Sequence, residues 1–393
     1  MNACEDAILR ALDVRETVNL LRELVAVPSM VGAEGPLAQL IGDWMQNLGL
    51  DVEYQSVTTH RMNVIGRLDF PRPGPCLMLN GHLDTVAPSD GWTTDPFDPT
   101  VRDNRLYGLG ALDMKAGIAA SLSVMKAACR CAEHLSGSLL FSGVIDEEGY
   151  SAGARALLER GLDDVDGIII GEPCGQGPGN PVPTLTAGKV LYRLTVLGRQ
   201  AHGFMPQDGV NAVEQAARIV AALGDLPQIE HAELGTGPVC TLKMSGGFED
   251  YAVVVPDACE VIISRMIVPG EDRKTSAEDM ERLVASLDLD ARVKVEMVPP
   301  YYVPLESNTL DRLFRVFDEA HIRECGTSAT YGPSVIISDA SVFYGEGAIP
   351  TVVFGPSGGG IHQRDEFVDL GSVAECARLY ARLVAGFLMG SAS

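Results

Sequence analysis

Leu77-Met-Leu-Asn-Gly-His82-Leu-Asp84 is an apolar run that ends in a histidine and an aspartate two positions apart. It reads as a buried strand that delivers a side chain to its carboxyl end, where ligands gather in an open α/β sheet. An imidazole that takes a metal through one ring nitrogen needs an acceptor for the other. Such acceptors are commonly carboxylates, and Asp84 is placed to be one. A lone His-x-Asp is more often a turn with a surface histidine than a metal site, so the weight falls on whether the rest of the chain repeats the pattern.

It does. The apolar stretch 139–145 runs into Asp146-Glu147-Glu148, three adjacent carboxylates that repel one another unless a cation sits among them. The stretch 168–170 runs into Gly171-Glu172-Pro173, and the stretch 351–354 leads to Gly355-Pro-Ser-Gly-Gly-Gly-Ile-His362. Between the His82 run and the first of these lies Leu106-Tyr-Gly-Leu-Gly-Ala-Leu-Asp113-Met-Lys115, followed by a small-residue helix predicted over 116–128. Its glycines let the backbone approach something closely. The spacing is not Gly-x-Gly-x-x-Gly, which excludes a dinucleotide fingerprint. His82, Asp113, Glu148, Glu172 and His362 thus supply two imidazoles and three carboxylates, most of them just beyond strand ends or at a helix start. That donor set suits two divalent ions of the zinc, cobalt or manganese kind. One carboxylate must bridge if the ions are to lie within about 4 Å of each other, and Asp113 is the candidate. Glu147 is surplus to the set and is a candidate general base for a metal-bound water.

Length and composition bound the reading. A chain of 393 residues exceeds one ordinary core, so two domains are expected. Apolar residues make up 46% and charged residues 21%, with no apolar run long enough to cross a bilayer, which predicts a soluble globular protein without a membrane partner. The first residues carry neither a basic segment nor an apolar run before a cleavage site, so a cytoplasmic location is expected. Nine cysteines, with no Cys-x-x-Cys pair, read as reduced thiols rather than a zinc knuckle or a disulfide frame. The formal charge of −23 argues against nucleic acid and makes cations the expected company.

Organisation follows from periodicity. Helical spacing over 14–24 and 36–48 predicts two opening amphipathic helices, and 52–68 alternates in part before the turn cluster at 71–75. The loop from Pro88 to Pro96 suits the wall of a site. A Gly/Pro-rich tract at 175–183 reads as a linker. Beyond it, strand-like segments at 191–197, 239–244 and 259–268 and a helix over 210–223 make a small α+β insert that closes near Val298-Pro-Pro300. Helical spacing returns at 310–323 and 373–388. The expected domains are therefore 1–183 and 299–393 as two parts of one α/β domain, a mixed sheet flanked by helices, with 184–298 inserted.

Gly81-His-Leu-Asp84-Thr, Gly110-Ala-Leu-Asp113-Met-Lys, Asp146-Glu-Glu148, Gly171-Glu-Pro173 and Ile361-His362 stand in the order and spacing of the M20 family of co-catalytic metallopeptidases and deacylases. The chain resembles that family over nearly its whole length. The family includes acetylornithine deacetylase, succinyl-diaminopimelate desuccinylase and the glutamate carboxypeptidases. The resemblance implies a dinuclear-metal, aminopeptidase-like catalytic domain in which His82, Asp113 and Glu172 hold one ion and Asp113, Glu148 and His362 the other. It makes Asp84 and Glu147 catalytic. It implies that the insert is a lid that also dimerises, and that His202, in Gly198-Arg-Gln-Ala-His202-Gly, reaches a neighbouring subunit's site. Ser264-Arg265 and Pro269-Gly-Glu271 resemble the segment whose arginine grips a substrate carboxylate. The implied activity is hydrolysis of the amide bond of an N-acyl amino acid or small peptide-like substrate with a free carboxylate. The alternatives are a dipeptidase or carboxypeptidase on short peptides, or a non-catalytic metal-binding relative. Three departures bear on specificity: Val253 where many relatives carry asparagine, Ile263 where an acid is usual, and Leu109 where an arginine is common.

Overall fold

The computed structural model describes residues 3–175, 180–250 and 253–389. The chain divides into two units: Met1–Thr184, Ser307–Ser334 and Ser338–Ser393 form one, and Leu185–Glu306 with Val335–Ile337 the other. The insert therefore ends at Glu306 rather than at 298. Val298-Pro-Pro300, expected as a stiff junction, lies inside a strand, Arg292–Tyr302. The expected linker also contracts, because Val182–Thr186 is a strand while 176–179 fall outside the described residues.

The first unit is built on six strands: β1 (Asp51–Thr58), β2 (Arg61–Asp69), β3 (Cys76–His82), β4 (Ser138–Val144), β5 (Gly167–Ile170) and β6 (Thr351–Val353). Their order is β1-β2-β4-β3-β5-β6. β1, β2 and β4 pair antiparallel, whereas β4, β3, β5 and β6 run parallel. Every residue of β3, β4, β5 and β6 is buried. Burial on both faces is why these segments read as continuous apolar runs rather than alternating ones. Because these four strands are parallel, their carboxyl ends share one edge of the sheet.

Helices cover this sheet. Those predicted over 14–24, 36–48 and 373–388 run Val14–Val25, Gly35–Asn47 and Leu370–Phe387. The small-residue helix, Ala116–Cys129, is buried along most of its length. Gly117 explains its composition: a Cβ there would stand 2.0 Å from the carbonyl oxygen of Gly171. Only glycine lets the helix start sit directly on the end of β5, where Glu172 departs. Ala3–Ala11 and Ala152–Arg160 are helices that the periodicity did not reveal. They are nine residues each, too short for a persistent apolar stripe.

The second unit has its own core. Gly188–Leu197, Ala212–Ala221, Val239–Gly246, Ala258–Ile267, Arg273–Ser286 and Arg292–Tyr302 follow as strand, helix, strand, strand, helix, strand. The strands form an antiparallel sheet in which Ala258–Ile267 and Gly188–Leu197 are central. This is the split βαβ arrangement. Its core gathers Tyr192, Leu194, Ile219, Val261, Ile263 and Met280.

Candidate metal centre

His82 is the last residue of β3 and is almost fully buried. Its Nδ1 donates to the main-chain carbonyl of Asp84 at 2.9 Å. A carbonyl only accepts, so Nδ1 carries a hydrogen and Nε2 is the nitrogen aimed at the site. Nε2 lies 3.0 Å from Asp113 Oδ1 and 3.4 Å from Glu172 Oε1. The expected orienting partner of the ring was the Asp84 carboxylate, and the structure corrects this. That carboxylate stands 3.8 Å from Nδ1 and is engaged elsewhere. Its Oδ1 accepts the amide of Glu147 at 3.1 Å and its Oδ2 the amide of Glu148 at 3.0 Å. Asp84 thus orients the imidazole with its backbone and the acidic turn after β4 with its side chain.

Asp113 sits in the turn Ala111–Lys115 that leads into the buried helix. Its second oxygen, Oδ2, is 3.3 Å from His362 Nε2, which in turn is 2.7 Å from Glu148 Oε1. The five residues therefore form two groups that share Asp113, one of His82, Asp113 and Glu172 and the other of Asp113, Glu148 and His362. Within each group the donor atoms lie within 4.8 Å of one another. Ligand atoms around a tetrahedral zinc with bonds of 2.0–2.1 Å stand about 3.3 Å apart. Three of the observed separations, 3.0 to 3.4 Å, lie close to that spacing, the Glu148–His362 contact at 2.7 Å is shorter, and one Asp113 oxygen is turned to each group. These residues fit a pair of divalent ions.

Charge makes the same point. Two carboxylates 4 Å apart repel by about 4 kcal/mol even at an effective dielectric constant of 20, and the site gathers Asp113, Glu147, Glu148 and Glu172. Without metal, protons must take up the load. Burial, reinforced by Glu172, raises the Glu147 carboxyl well above the usual range. Burial and the Asp113 charge push Glu172 up to about 7. Burial alone would depress His82, but the Glu172 and Asp113 carboxylates outweigh it and hold the imidazole well above its ordinary value. Asp113 and Glu148 raise the more exposed His362 to about 10. Asp113 itself is held low: burial works against this, but its contacts with His362 and His82 prevail.

The supporting residues are mostly ones that the sequence did not single out. Arg61 spans Glu34 at 2.5 Å and Asp146 at 2.7 Å, tying down the start of the acidic turn. Lys115 is buried, donates to the Val27 carbonyl at 2.8 Å, and is pushed down to about 7 by that burial. Asp339 is buried and raised to about 6 by desolvation, and its Oδ1 has no hydrogen-bond partner among the described residues. Glu366, also buried, is pushed up to about 7. Lys115 closes the motif that carries Asp113, whereas Arg61, Asp339 and Glu366 lie in no motif that announces a role. The wall loop expected from Pro88 to Pro96 is tied to the His362 turn through Thr93, whose amide and hydroxyl both donate to Asp365 Oδ1 at 2.9 Å.

Two expected site residues belong to the insert. Arg265 is corrected. Its guanidinium is 1% exposed and bonds Glu271 at 2.7 Å, Asp279 at 3.4 Å and the Pro227 carbonyl at 2.7 Å. A charge already neutralised inside the insert's core is not free to grip a substrate carboxylate. His202 is exposed, its Nδ1 accepting the amide of Phe204 at 3.2 Å. Of the three departures, Leu109 and Ile263 are buried and Val253 is exposed.

Residues 78–386 match the family described as Peptidase family M20/M25/M40. The chain is similar to the acetylornithine deacetylase of Yersinia pseudotuberculosis serotype O:1b (strain IP 31758), at 29% identity over 399 residues, covering 94% of this chain and 97% of that protein. Among solved structures it is similar to a tripeptidase from Staphylococcus aureus (24% identity, TM-score 0.77, 95% of this chain and 98% of that one). It is also similar to an M20 family metallo-carboxypeptidase from Sulfolobus solfataricus (16% identity, TM-score 0.78, 95% and 99%). With that family match spanning most of its length and the mixed α/β fold shared with those structures, this chain belongs to the M20/M25/M40 peptidase family and is a hydrolase.

Proposed function

We propose that this hydrolase removes the acyl group from an N-acyl amino acid by cleaving a linear amide. In this reading His82, Asp113 and Glu172 hold one divalent ion, and Asp113, Glu148 and His362 the other. Ions of the zinc, cobalt or manganese kind suit these nitrogen and oxygen donors. When bound, they supply the Lewis acidity that polarises a carbonyl and lowers the pKa of a water to about 7. The chain's own residues do the rest. Glu147 takes the proton of the attacking water and delivers it to the leaving nitrogen, and Asp84 holds the amides of Glu147 and Glu148 in place.

The observation that carries this reading is Glu147 itself. It is a half-buried carboxylate outside both ligand groups, yet adjacent in sequence to one ligand and held by the residue that orients another. A structural carboxylate would be paired with a cation. Glu147 instead has a proton affinity well above that of an ordinary glutamate, as an acceptor near neutrality requires. The choice of an N-acyl amino acid rests on the similarity to acetylornithine deacetylases over 94% of the chain. Nine free cysteines accord with a reducing compartment such as the cytoplasm.

The active unit in this reading is a homodimer formed through the insert, with His202 of one subunit donating to the oxyanion in the other's site. Support comes from the ring's hydrogen bonding. With Nδ1 accepting from Phe204, the neutral ring carries its hydrogen on Nε2, which makes that exposed nitrogen a donor. Phe204, 90% exposed, stacks on it at 5.3 Å.

The deciding experiment strips the protein with a chelator and follows hydrolysis of N-acetyl amino acids, N-acetylornithine among them, before and after zinc or cobalt is returned. Activity should vanish and reappear with metal. Glu147→Gln should bind metal normally yet lose a factor on the order of 10² to 10⁴ in kcat. Near-normal turnover by that variant, or by the stripped protein, would remove the proposal.

A further inference from the structure

The turn that carries Asp113 and the turn that carries His362 come from residues about 250 positions apart, yet they must present one ligand pair at a fixed separation. A ladder brings the two stretches together: Arg105–Tyr107 pairs antiparallel with Phe367–Asp369 in the register Tyr107↔Phe367, Leu106↔Val368 and Arg105↔Asp369. The Gly108 amide extends it by donating to the Glu366 carbonyl at 3.0 Å. There the ladder stops, short of both ligands. The Glu366 side chain takes over. Its Oε1 accepts the amides of Leu112 at 2.8 Å and Asp113 at 3.1 Å, and its Oε2 accepts that of Gly110 at 3.0 Å.

On its other side, the backbone of Glu366 is the seat of the His362 turn. A Cβ on Gly360, whose φ is +78°, would lie 3.1 Å from the Glu366 Cα, and the Gln363 amide closes the turn onto the Gly360 carbonyl at 2.9 Å. Glu366 thus touches both ligand-bearing turns, one through its carboxylate and one through its main chain, while itself ligating nothing.

We propose that Glu366 is a positioning residue of the metal centre: by clasping the amides of Gly110, Leu112 and Asp113, it sets the bridging carboxylate at the correct separation from His362. The proposal rests on reading the site as a two-metal centre. A carboxylate buried to 1% exposure with three backbone donors is also what an ordinary structural clasp would look like, so metal affinity, not stability, decides. Glu366→Gln preserves the volume but offers one acceptor oxygen, and turns an NH2 group toward one of the three amides.

The test is titration of the chelated protein with zinc from a zinc-buffered solution, reading stoichiometry and Kd, beside the Tm of the metal-free forms. The Gln variant should fold, bind at least one ion tenfold or more weakly, lose turnover at limiting zinc and recover it at excess zinc, with KM unchanged. Should it fail to fold, Glu366→Asp keeps the charge but withdraws the carboxylate by one methylene, and the same tenfold weakening is expected. A folded variant that binds both ions with wild-type affinity, whatever its Tm, overturns the proposal and leaves the two-metal reading standing. A wild type that binds no divalent ion overturns both.

Discussion

Replacing Asp84 by asparagine tests whether one buried carboxylate serves the whole acidic turn. The side chain is almost inaccessible and accepts two amides, those of Glu147 at 3.1 Å and Glu148 at 3.0 Å. Asparagine fills the same space, but it can accept only one of them and sets its NH2 group against the other. Losing a hydrogen bond to a charged acceptor removes about 1.5–3 kcal/mol, and leaving a buried donor unpaired costs about 1–3 kcal/mol more. The turn therefore loses roughly 3–6 kcal/mol of fixation. If that is expressed in the transition state, kcat falls by a factor on the order of 10² to 10⁴. The assay is kcat at saturating metal for Asp84→Asn, Glu147→Gln and the double variant. If Asp84 acts through Glu147, the asparagine should cost little more once Glu147 is gone, because coupled residues are not additive. Independent, multiplying losses would refute the reasoning, and so would a single variant with wild-type turnover and full metal content.

Two further expectations follow from the site's charge and from the insert. Because His362 is raised to about 10 in the metal-free protein it is protonated at pH 7, and with His82 also raised and Glu172 pushed up to about 7, metal uptake there should expel more than one proton. Calorimetric titration in buffers of different ionisation enthalpy counts them, and release of fewer than one would contradict the assignment. The same shifts fix a sign for the metal-free protein. A raised histidine stabilises fully below its unfolded value of about 6.5, and that stabilisation disappears as pH rises through about 10, so the Tm of the chelated protein should fall across this window more steeply than that of the metal-loaded one. For the dimer, co-expressing His202→Ala with Glu147→Gln subunits should restore one working site per mixed dimer if His202 acts across the interface. Mixed dimers no more active than either parent would return His202 to its own subunit.

The ends of the parallel strands were the most legible part of the chain. Buried on both faces, they leave apolar runs whose last residues are polar, and those residues are His82, the 146–148 turn and Glu172. Periodicity also found most of the long helices, but not Arg273–Ser286 in the insert. What it missed depends on contacts between distant segments. Nothing about Glu366 four positions after His362, or Lys115 two after Asp113, marks the first as a clasp or the second as a buried cation. Asp84 was legible as important, but its partner was not. Whether its carbonyl or its carboxylate met the imidazole depended on how the 147–148 backbone returned beneath it.

Arg265 shows the opposite case, where a simpler rule outranks a motif. In Ala258–Ile267, side chains alternate between faces, so Cys259, Val261, Ile263, Arg265 and Ile267 share one side. All five are buried, and four are apolar. The period of two alone places Arg265 in the insert's core. A guanidinium there needs carboxylates, and breaking such a buried pair typically costs about 3–5 kcal/mol. The position two residues earlier is Ile263, so the counter-charges come from elsewhere. They come from Glu271, at the turn after the strand, and Asp279, in the helix that packs over it. An apolar residue at 263 completes the core, and the arginine is held by Glu271 and Asp279.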